Sequence, residues 1–150
     1  MTGKRQTEAN RWFQQAYYDL QATRWNIQGR FFDTACFLAQ QAGEKALKSF
    51  LYYNGARRTA LLTHSLFEMV REGQKYLGDL TDLLDQAREL DFHYIPSRYP
   101  NGIPSGYPHD FYTKKIADQA LRSAEKIFST IQDYYQKKGE KYLLPNEEKG

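Results

Sequence analysis

The sequence predicts an all-α protein, an antiparallel bundle of four to five helices with a Pro/Gly-rich loop before the last helix. Apolar residues recur at the three- and four-residue spacing of a helix along most of the chain, and no segment alternates apolar and polar residues as a strand does. The connections between these segments are short, which favours antiparallel neighbours. With 150 residues and no internal repeat, the chain is predicted to form one domain over residues 1–150.

The first two predicted helices are long and joined by a tight turn. The first runs from Glu8 to Gln28, and Gly29 is a favoured residue after a helix end. The second runs from Phe32 to about Asn54. Its apolar face is rich in small residues, which allows a neighbouring helix to approach closely.

Three further helices complete the predicted bundle. A short one begins near Thr63 or Ser65, where Ser65-Leu66-Phe67-Glu68 has the pattern of a capping box. The next begins near Asp79 and continues to Tyr94, and the last runs from Thr113 to Lys137 and Lys138. The polar tail over about 139–150 is expected to be frayed.

The segment between Ile95 and Tyr112 carries a proline at every fourth position, from Pro96 to Pro108. Proline removes a backbone donor and clashes with the preceding turn, so we expect no helix here. Long loops without secondary structure are uncommon in compact domains and are often functional. This loop is therefore the first place to look for a binding site.

Composition excludes several classes of protein. A net charge of +3 is too small for a strongly basic nucleic-acid-binding domain. The single Cys36 excludes an internal disulfide. The polar start of the chain does not resemble a signal peptide, and no apolar run approaches the ~20 residues that span a membrane. We expect a cytoplasmic protein with no membrane contact. The three histidines lack metal-ligand spacing, so no metal site is predicted.

The proline-rich loop contains the first candidate binding residues. Arginine presents a planar fork of donors that suits phosphate, and aromatic faces can hold a base. The candidates are Arg98, Tyr94, Tyr99, His109 and Tyr112. The alternative is that Arg98 caps the end of the fourth helix or pairs with a buried carboxylate.

A row of polar residues lies opposite the apolar face of the second helix. Its members are Gln40, Gln41, Glu44, Lys45 and Lys48. Glu44 and Lys48 are spaced to pair one helical turn apart. Such a row is usually a solvated surface, and this is our prediction. Asp19 in the first helix stands between core positions and is a candidate partner for Lys45 or Arg98.

His64 follows Arg57 and Arg58 across a short connection. A histidine near an arginine can act as a general base while the arginine stabilises a phosphate transition state. A lone histidine at a helix start is more often a cap or a half-buried residue, and the sequence favours that interpretation. His64, Arg58 and His109 therefore remain the weak catalytic candidates.

Three motifs in a fixed order resemble the HEPN domain (higher eukaryotes and prokaryotes nucleotide-binding). The first is Ala16-x-x-Asp19-Leu20. The second is Asp33-x-Ala35-Cys36-Phe37-x-Ala39-Gln40-Gln41-Ala42-x-Glu44-Lys45-Ala46-Leu47-Lys48. The third is Leu90-Asp91, Tyr94 and Arg98-Tyr99-Pro100, followed by the loop into Tyr112-Thr113 and a last helix with Ala117, Ala120 and Ala124. The resemblance covers a core of about residues 8–136.

The resemblance implies a nucleotide-binding helical bundle that forms a homodimer and is paired with a small nucleotidyltransferase in a toxin–antitoxin-like module. Arg98-Tyr99-Pro100 matches the family's signature at the end of the fourth helix, which makes Arg98 the first site residue. Gln41, Glu44, Lys45 and Lys48 match the second-helix signature, which can mark the fold as much as the function.

Ribonuclease members of the wider superfamily carry an arginine followed, after four to six residues, by a histidine near this late helix. Here the first histidine after Arg98 is His109, which is too distant, and Arg58 with His64 fits the interval in another part of the chain. The resemblance therefore favours a non-catalytic domain that binds a nucleotide or the phosphate of RNA, with no cofactor beyond that nucleotide. The alternatives are a metal-independent endoribonuclease, using Arg98 with His109 or Arg58 with His64, and a homodimeric interaction scaffold.

Overall fold

The computed structural model describes residues 3–145, which fold into helices joined by short connections. The seven α-helices are α1 (Lys4–Gln28), α2 (Phe32–Tyr53), α3 (Arg58–Leu62), α4 (Leu66–Gly73), α5 (Leu84–Asp91), α6 (Pro108–Phe111) and α7 (Lys114–Lys137). Three 3-10 turns, at Gly78–Leu83, Pro100–Gly102 and Lys141–Leu143, complete the regular structure. Residues 3–145 contain no strand, so the predicted all-α class is confirmed. None of the helices in this range is long and apolar enough to cross a membrane.

The three long helices build the core, and α2 lies at its centre, in contact with α1, α4, α5 and α7. Between α1 and α7, Phe13 stacks on Phe128 at 4.4 Å between ring centroids and meets the edge of Tyr135 at 5.2 Å. The Ser49 hydroxyl, buried on α2, lies 2.6 Å from the Ala9 carbonyl oxygen and 2.7 Å from the Tyr135 hydroxyl. Burying α2 on several sides leaves it little freedom to move within the bundle.

Gly43 lets the smaller helices pack close to α2. A Cβ at this position would stand 2.7 Å from Leu66 Cδ2 on α4 and 3.0 Å from Leu90 Cδ1 on α5. The absence of a side chain at Gly43 therefore positions both helices that flank the candidate site.

The predicted boundaries agree with the structure for the second and last helices and for the start of α4, whereas the short helix α3 was not predicted. Ser65 caps α4 by accepting a hydrogen bond from the Glu68 amide, and Thr113 caps α7. The predicted helix from Asp79 to Tyr94 is instead divided into a 3-10 turn, α5 and further turns. The first helix also begins earlier than predicted, at Lys4.

The prediction that prolines exclude helix from the segment between Ile95 and Tyr112 was wrong for two short stretches. Pro100 opens a 3-10 turn and Pro108 opens α6. Proline is well tolerated at the first position of a helix, because its missing N–H would have no intrahelical partner there. The prolines therefore start turns in this loop as well as interrupt it.

The tail was also predicted wrongly over residues 140–145, which pack on the bundle. Leu143 is fully buried, and Gln14 Nε2 on α1 lies 3.3 Å from the carbonyl oxygens of both Leu143 and Leu144. Gly139, with φ of +73°, makes the turn that directs the chain back towards α1. Residues 146–150 of the predicted tail lie outside the described residues.

Candidate functional site

One face of α2 brings together the candidate residues of several distant segments. We call it the α2 polar stripe and define it as Asp33, Phe37, Gln40, Gln41, Glu44 and Lys48. Residues three and four apart lie on the same side of a helix, so these six side chains form a continuous row. The prediction of a solvated surface covered Gln40, Gln41, Glu44, Lys45 and Lys48. It was wrong for three of these five residues, because Gln40, Glu44 and Lys48 are 0%, 4% and 5% exposed.

A buried ion pair forms the centre of the stripe. Lys48 Nζ donates to Glu44 Oε2 at 2.9 Å and lies 5.1 Å from the centroid of the Trp12 ring. Gln40 Nε2 donates to the other Glu44 oxygen at 3.1 Å. A buried charge is tolerated when a partner and hydrogen bonds replace its hydration, and both charges meet that condition here.

His64 extends this ion pair to the protein surface. Its Nδ1 lies 3.2 Å from Glu44 Oε2, while its side chain is 58% exposed. Its ring stacks on Tyr94 at 5.4 Å with an angle of 17° between the planes. Contact of Nδ1 with a carboxylate fixes the orientation of the ring and leaves Nε2 to face a ligand. The sequence favoured a helix cap or a half-buried, satisfied residue for His64. The cap was wrong, because Ser65 caps α4, and the ring is in contact with Glu44 but more exposed than that prediction held.

Arg98 also lies over the ring of this tyrosine and is held by three aromatic rings. Its guanidinium carbon is 4.3 Å from the Phe37 centroid, 5.0 Å from that of Tyr94 and 5.1 Å from that of Tyr99. Arg98 Nε donates to the Tyr94 carbonyl oxygen at 3.0 Å. Because α5 ends at Asp91, this bond holds the turns that follow the helix and does not cap the helix end considered from the sequence. Within residues 3–145 no carboxylate pairs with Arg98, so the alternative of a buried carboxylate partner was wrong.

His109 marks the other end of the stripe. Its Nδ1 lies 2.9 Å from Asp33 Oδ1 in the first turn of α2. The side chain is 56% exposed and lies beside the Phe31 ring. The stripe thus carries a histidine–carboxylate contact near each end and Arg98 between them.

Tyr112, in contrast, is part of the core. It is 5% exposed, and its hydroxyl lies 3.0 Å from His93 Nδ1, which is also buried. Burial raises the pKa of Tyr112 and lowers the pKa of His93 to about 4. The structure therefore places Tyr112 as an anchor for the end of the proline-rich loop, away from the open face of the stripe.

Lys45 and Arg58 lie apart from the stripe. Lys45 Nζ donates to Asp19 Oδ2 at 2.6 Å, and Gln15 Nε2 donates to the other Asp19 oxygen at 2.9 Å. Of the two partners considered for Asp19, the structure therefore selects Lys45 and not Arg98. Arg58 is exposed at the start of α3, and no hydrogen bond joins it to His64 within the described part of the chain.

Sequence reasoning missed Asp33 and Phe37 as members of the site. Both belong to the quoted second-helix motif, but their partners His109 and Arg98 lie far along the chain. The detectable signal was the spacing of Asp33, Phe37, Gln41, Glu44 and Lys48 at three and four residues, which places them in one row.

The chemistry open to this site is that of donors, imidazoles and aromatic faces. No three metal-ligating side chains gather among residues 3–145. Burial, aided by the carboxylates of Asp33 and Glu89, raises the pKa of the Cys36 thiol to about 12, so Cys36 stays protonated and unreactive. The stripe can bind phosphate through Arg98, stack a base, and present two imidazoles for hydrogen bonding or proton transfer.

The model of the HEPN domain family matches residues 9–134, which include the whole stripe and its partners. The chain belongs to the HEPN domain family. The structure of TT1696 from Thermus thermophilus is 32% identical, with a TM-score of 0.72 over 84% of this chain and 97% of that one. ST0689, described as an archaeal HEPN homologue, is 31% identical, with a TM-score of 0.71 over 85% and 97% of the two chains.

A further relative is similar to this chain in sequence over most of its length. The protein named "Putative toxin MJ1304" from Methanocaldococcus jannaschii is 26% identical over 137 residues, which cover 87% of this chain and 90% of that protein. The HEPN resemblance seen in the sequence motifs is thus confirmed by the family match and by the solved structures.

Proposed function

We propose that this HEPN domain binds the phosphate groups of a nucleotide or of RNA along the α2 polar stripe, with Arg98 as the main contact. The observation that carries this proposal is the state of Arg98, which is exposed and held by three aromatic rings without a carboxylate partner in residues 3–145. Its Nε is occupied by the Tyr94 carbonyl, which leaves the two terminal nitrogens to donate to a phosphate.

The aromatic residues around Arg98 support the same ligand class. Tyr99 is 48% exposed and lies against the guanidinium, so its outer face can stack on a base. His64 and His109 stand on either side of Arg98 along α2. Their carboxylate partners, Glu44 and Asp33, are separated by eleven residues, which corresponds to about 16 Å of helix. A row of this length exceeds one nucleotide and suits a short stretch of RNA.

Metal-independent cleavage of RNA is the second candidate, favoured by the contact between Glu44 and His64. A carboxylate at Nδ1 orients an imidazole so that Nε2 can take a proton from the 2′-hydroxyl. The 2′-oxygen then bonds to the adjacent phosphorus while the bond from phosphorus to the 5′-oxygen breaks, and the 5′-oxygen takes up a proton from water. Arg98, on the same tyrosine, would stabilise the charge that develops on the phosphate. This pairing of Arg98 with His64 combines one residue from each of the two pairs considered from the sequence.

We further propose that the protein acts as a toxin-like component of a two-protein module in the cytoplasm. The name of the relative from M. jannaschii supports the toxin-like role. A small nucleotidyltransferase as partner and a homodimeric state are what the family resemblance implies, and both are part of this proposal.

The binding proposal is tested by thermal stabilisation with a panel of nucleotides and short RNAs. A ligand at 100 times its dissociation constant should add about 2.7 kcal/mol of stability, visible as a raised Tm. Arg98→Ala should lose this shift. Arg88→Ala is the matched control, because Arg88 is also exposed and lies over an aromatic ring, Phe67, at 4.7 Å. Equal shifts in wild type and Arg98→Ala would refute the proposed site.

The cleavage candidate is tested separately, with labelled RNA in the presence of EDTA. Cleavage that persists in EDTA and is lost in His64→Ala, but not in His109→Ala, would assign the general base to His64. If His109→Ala is the inactive variant instead, the base lies at the Asp33 end of the stripe. RNA that stays intact with the wild-type protein would exclude the enzyme and leave the binding function.

A further inference from the structure

A second concave surface lies where the first half of α1 meets the second half of α2. Two cavities of about 490 and 390 Å³ adjoin here, and both are lined by Glu8 and Tyr52. We call this surface the α1–α2 groove and define it by the residues that line the two cavities. They are Lys4, Arg5, Glu8, Arg11, Trp12, Gln15, Lys45, Tyr52, Gly55, Ala56 and Leu61.

The floor of the groove is aromatic and apolar. The Trp12 and Tyr52 rings stand nearly parallel, at 6.1 Å and 19°, and both are partly exposed. At the far end, Ala56 and the half-buried Leu61 continue the apolar surface. Such a floor can accept apolar side chains of a partner.

The rim of the groove is positively charged. Arg11 pairs with Glu8 at 2.8 Å, whereas Lys4 and Arg5 have no carboxylate partner among residues 3–145. Arg5 lies directly over Gly55, where a Cβ would overlap its guanidinium, and Gly55 has a φ of +70°. The glycine thus leaves room for the Arg5 guanidinium at the apolar end of the groove.

The arrangement of charge in the groove decides between a nucleic acid and a peptide as the occupant. The Glu8 carboxylate lines both cavities and therefore stands where any ligand that fills the groove must pass. Arg11 offsets the charge of Glu8, so the unpaired positive charge of the groove lies at its Arg5 end, whereas a phosphate backbone carries a charge at every nucleotide along its length. A peptide can place an acidic residue against Arg5 and an uncharged donor against Glu8, with apolar side chains on Trp12 and Tyr52.

We propose that the α1–α2 groove binds an acidic amphipathic helix of a partner protein. From Lys4 to Gln15 the groove follows twelve residues of α1, which span about 16 Å, the length of three helical turns. A helix that docks into a groove presents apolar residues at three- and four-residue spacing, which matches an elongated apolar floor. This proposal does not depend on the α2 polar stripe or on its ligand.

The test is a selection of binders from a displayed library of random 16-residue peptides, with the full-length protein as bait. The expected peptides are acidic and have apolar residues at helical spacing. Arg5→Glu should weaken their binding about tenfold, because it replaces an attraction with a repulsion at an exposed site. Arg122→Glu on α7 makes the same change of charge outside the groove and should leave binding unchanged.

Trp12 provides a direct readout of occupancy. The chain has two tryptophans, and Trp25 is 74% exposed, so Trp25→Phe leaves Trp12 as the single tryptophan without disturbing the core. A selected peptide should change the Trp12 emission of this variant, and Arg98→Ala should not alter the affinity.

Three results would overturn the proposal. One is a selection that yields no binders, or binders without negative charge. Another is equal affinity of the selected peptides for wild type and Arg5→Glu. The third is a change in Trp12 emission caused by a 12-nucleotide oligouridylate and lost in Arg5→Glu, which would assign the groove to nucleic acid.

Discussion

Removing the charge of Glu44 should destabilise the fold far more than breaking a surface ion pair. The side chains of Glu44 and Lys48 are 5% and 6% exposed, so neither charge is screened by water. Glu44→Gln keeps an oxygen for Gln40 but leaves the Lys48 ammonium with only the Trp12 ring as a compensating contact. Loss of one partner from a buried pair costs about 3–5 kcal/mol, and we expect a loss of this size.

The matched double variant, Glu44→Gln with Lys48→Met, removes both charges together. Methionine has nearly the length of lysine and is apolar, so no uncompensated charge remains in the core. We expect the free energy of unfolding of the double variant to lie within about 1–2 kcal/mol of that of wild type. The double variant should therefore be more stable than Glu44→Gln alone. Two variants that are each harmful and together nearly neutral would show that the two charges compensate each other.

The measurement is urea unfolding followed by circular dichroism, with the free energy extrapolated to water for wild type, both single variants and the double variant. The difference between the double variant and the sum of the singles is the coupling energy of the pair. A cost below about 1 kcal/mol for Glu44→Gln would refute the reasoning, since that is the range of exposed ion pairs. Additive single effects would refute it as well.

Three further variants test burial elsewhere in the fold. Burial depresses the pKa of His93 to about 4, so as the pH falls the unfolded chain binds a proton at a higher pH than the folded chain does. The free energy of unfolding should therefore be highest above about pH 6.5 and should fall by about 3 kcal/mol as the pH drops towards 4. Urea unfolding across that range should show a weaker dependence in His93→Gln. Gly43→Ala should cost about 1–2 kcal/mol of stability, since the new methyl group must displace two leucine side chains. Gly78→Ala is the control: no atom lies within 4 Å of a Cβ at that position, so its thermal unfolding should be nearly unchanged. Leu143→Ala should cost about 2–5 kcal/mol by the same assay, because Leu143 is fully buried, and a cost near zero would mean that the C-terminal turn does not contribute to the core.

Apolar spacing and capping residues are local signals, and they were sufficient to predict α1, α2, α7 and the start of α4. They did not predict the short helices α3 and α6, nor the division of the fourth segment. The cap at Ser65 and the close approach at the small residues of α2 were both readable before the structure. The burial of Glu44 and Lys48 could not be predicted from the sequence, since a polar row on a helix normally faces water. Only the central position of α2 in the bundle, a tertiary property, places that row under α1 and the connection before α4.

The residues of the candidate site were predicted better than their arrangement. Arg98, His64, His109 and Glu44 were all named from the sequence, but the two histidines were considered with the wrong partners. The contact of His109 with Asp33 joins residues 76 positions apart, and that of Lys45 with Asp19 joins residues 26 positions apart. Such contacts depend on how helices pack, and a single sequence carries no direct record of that.

The position of the stripe on α2 has a consequence for how its parts are spaced. His64, Arg98 and His109 come from three separate segments between the long helices, yet each contacts a side chain of α2. The rise of α2 per residue therefore sets the distances between these three groups. The lengths of the loops that carry them do not. Insertions in those loops should be tolerated as long as His64, Arg98 and His109 still reach their contacts on α2. A single residue inserted into α2 between Phe37 and Glu44, in contrast, would rotate one end of the row by about 100° relative to the other.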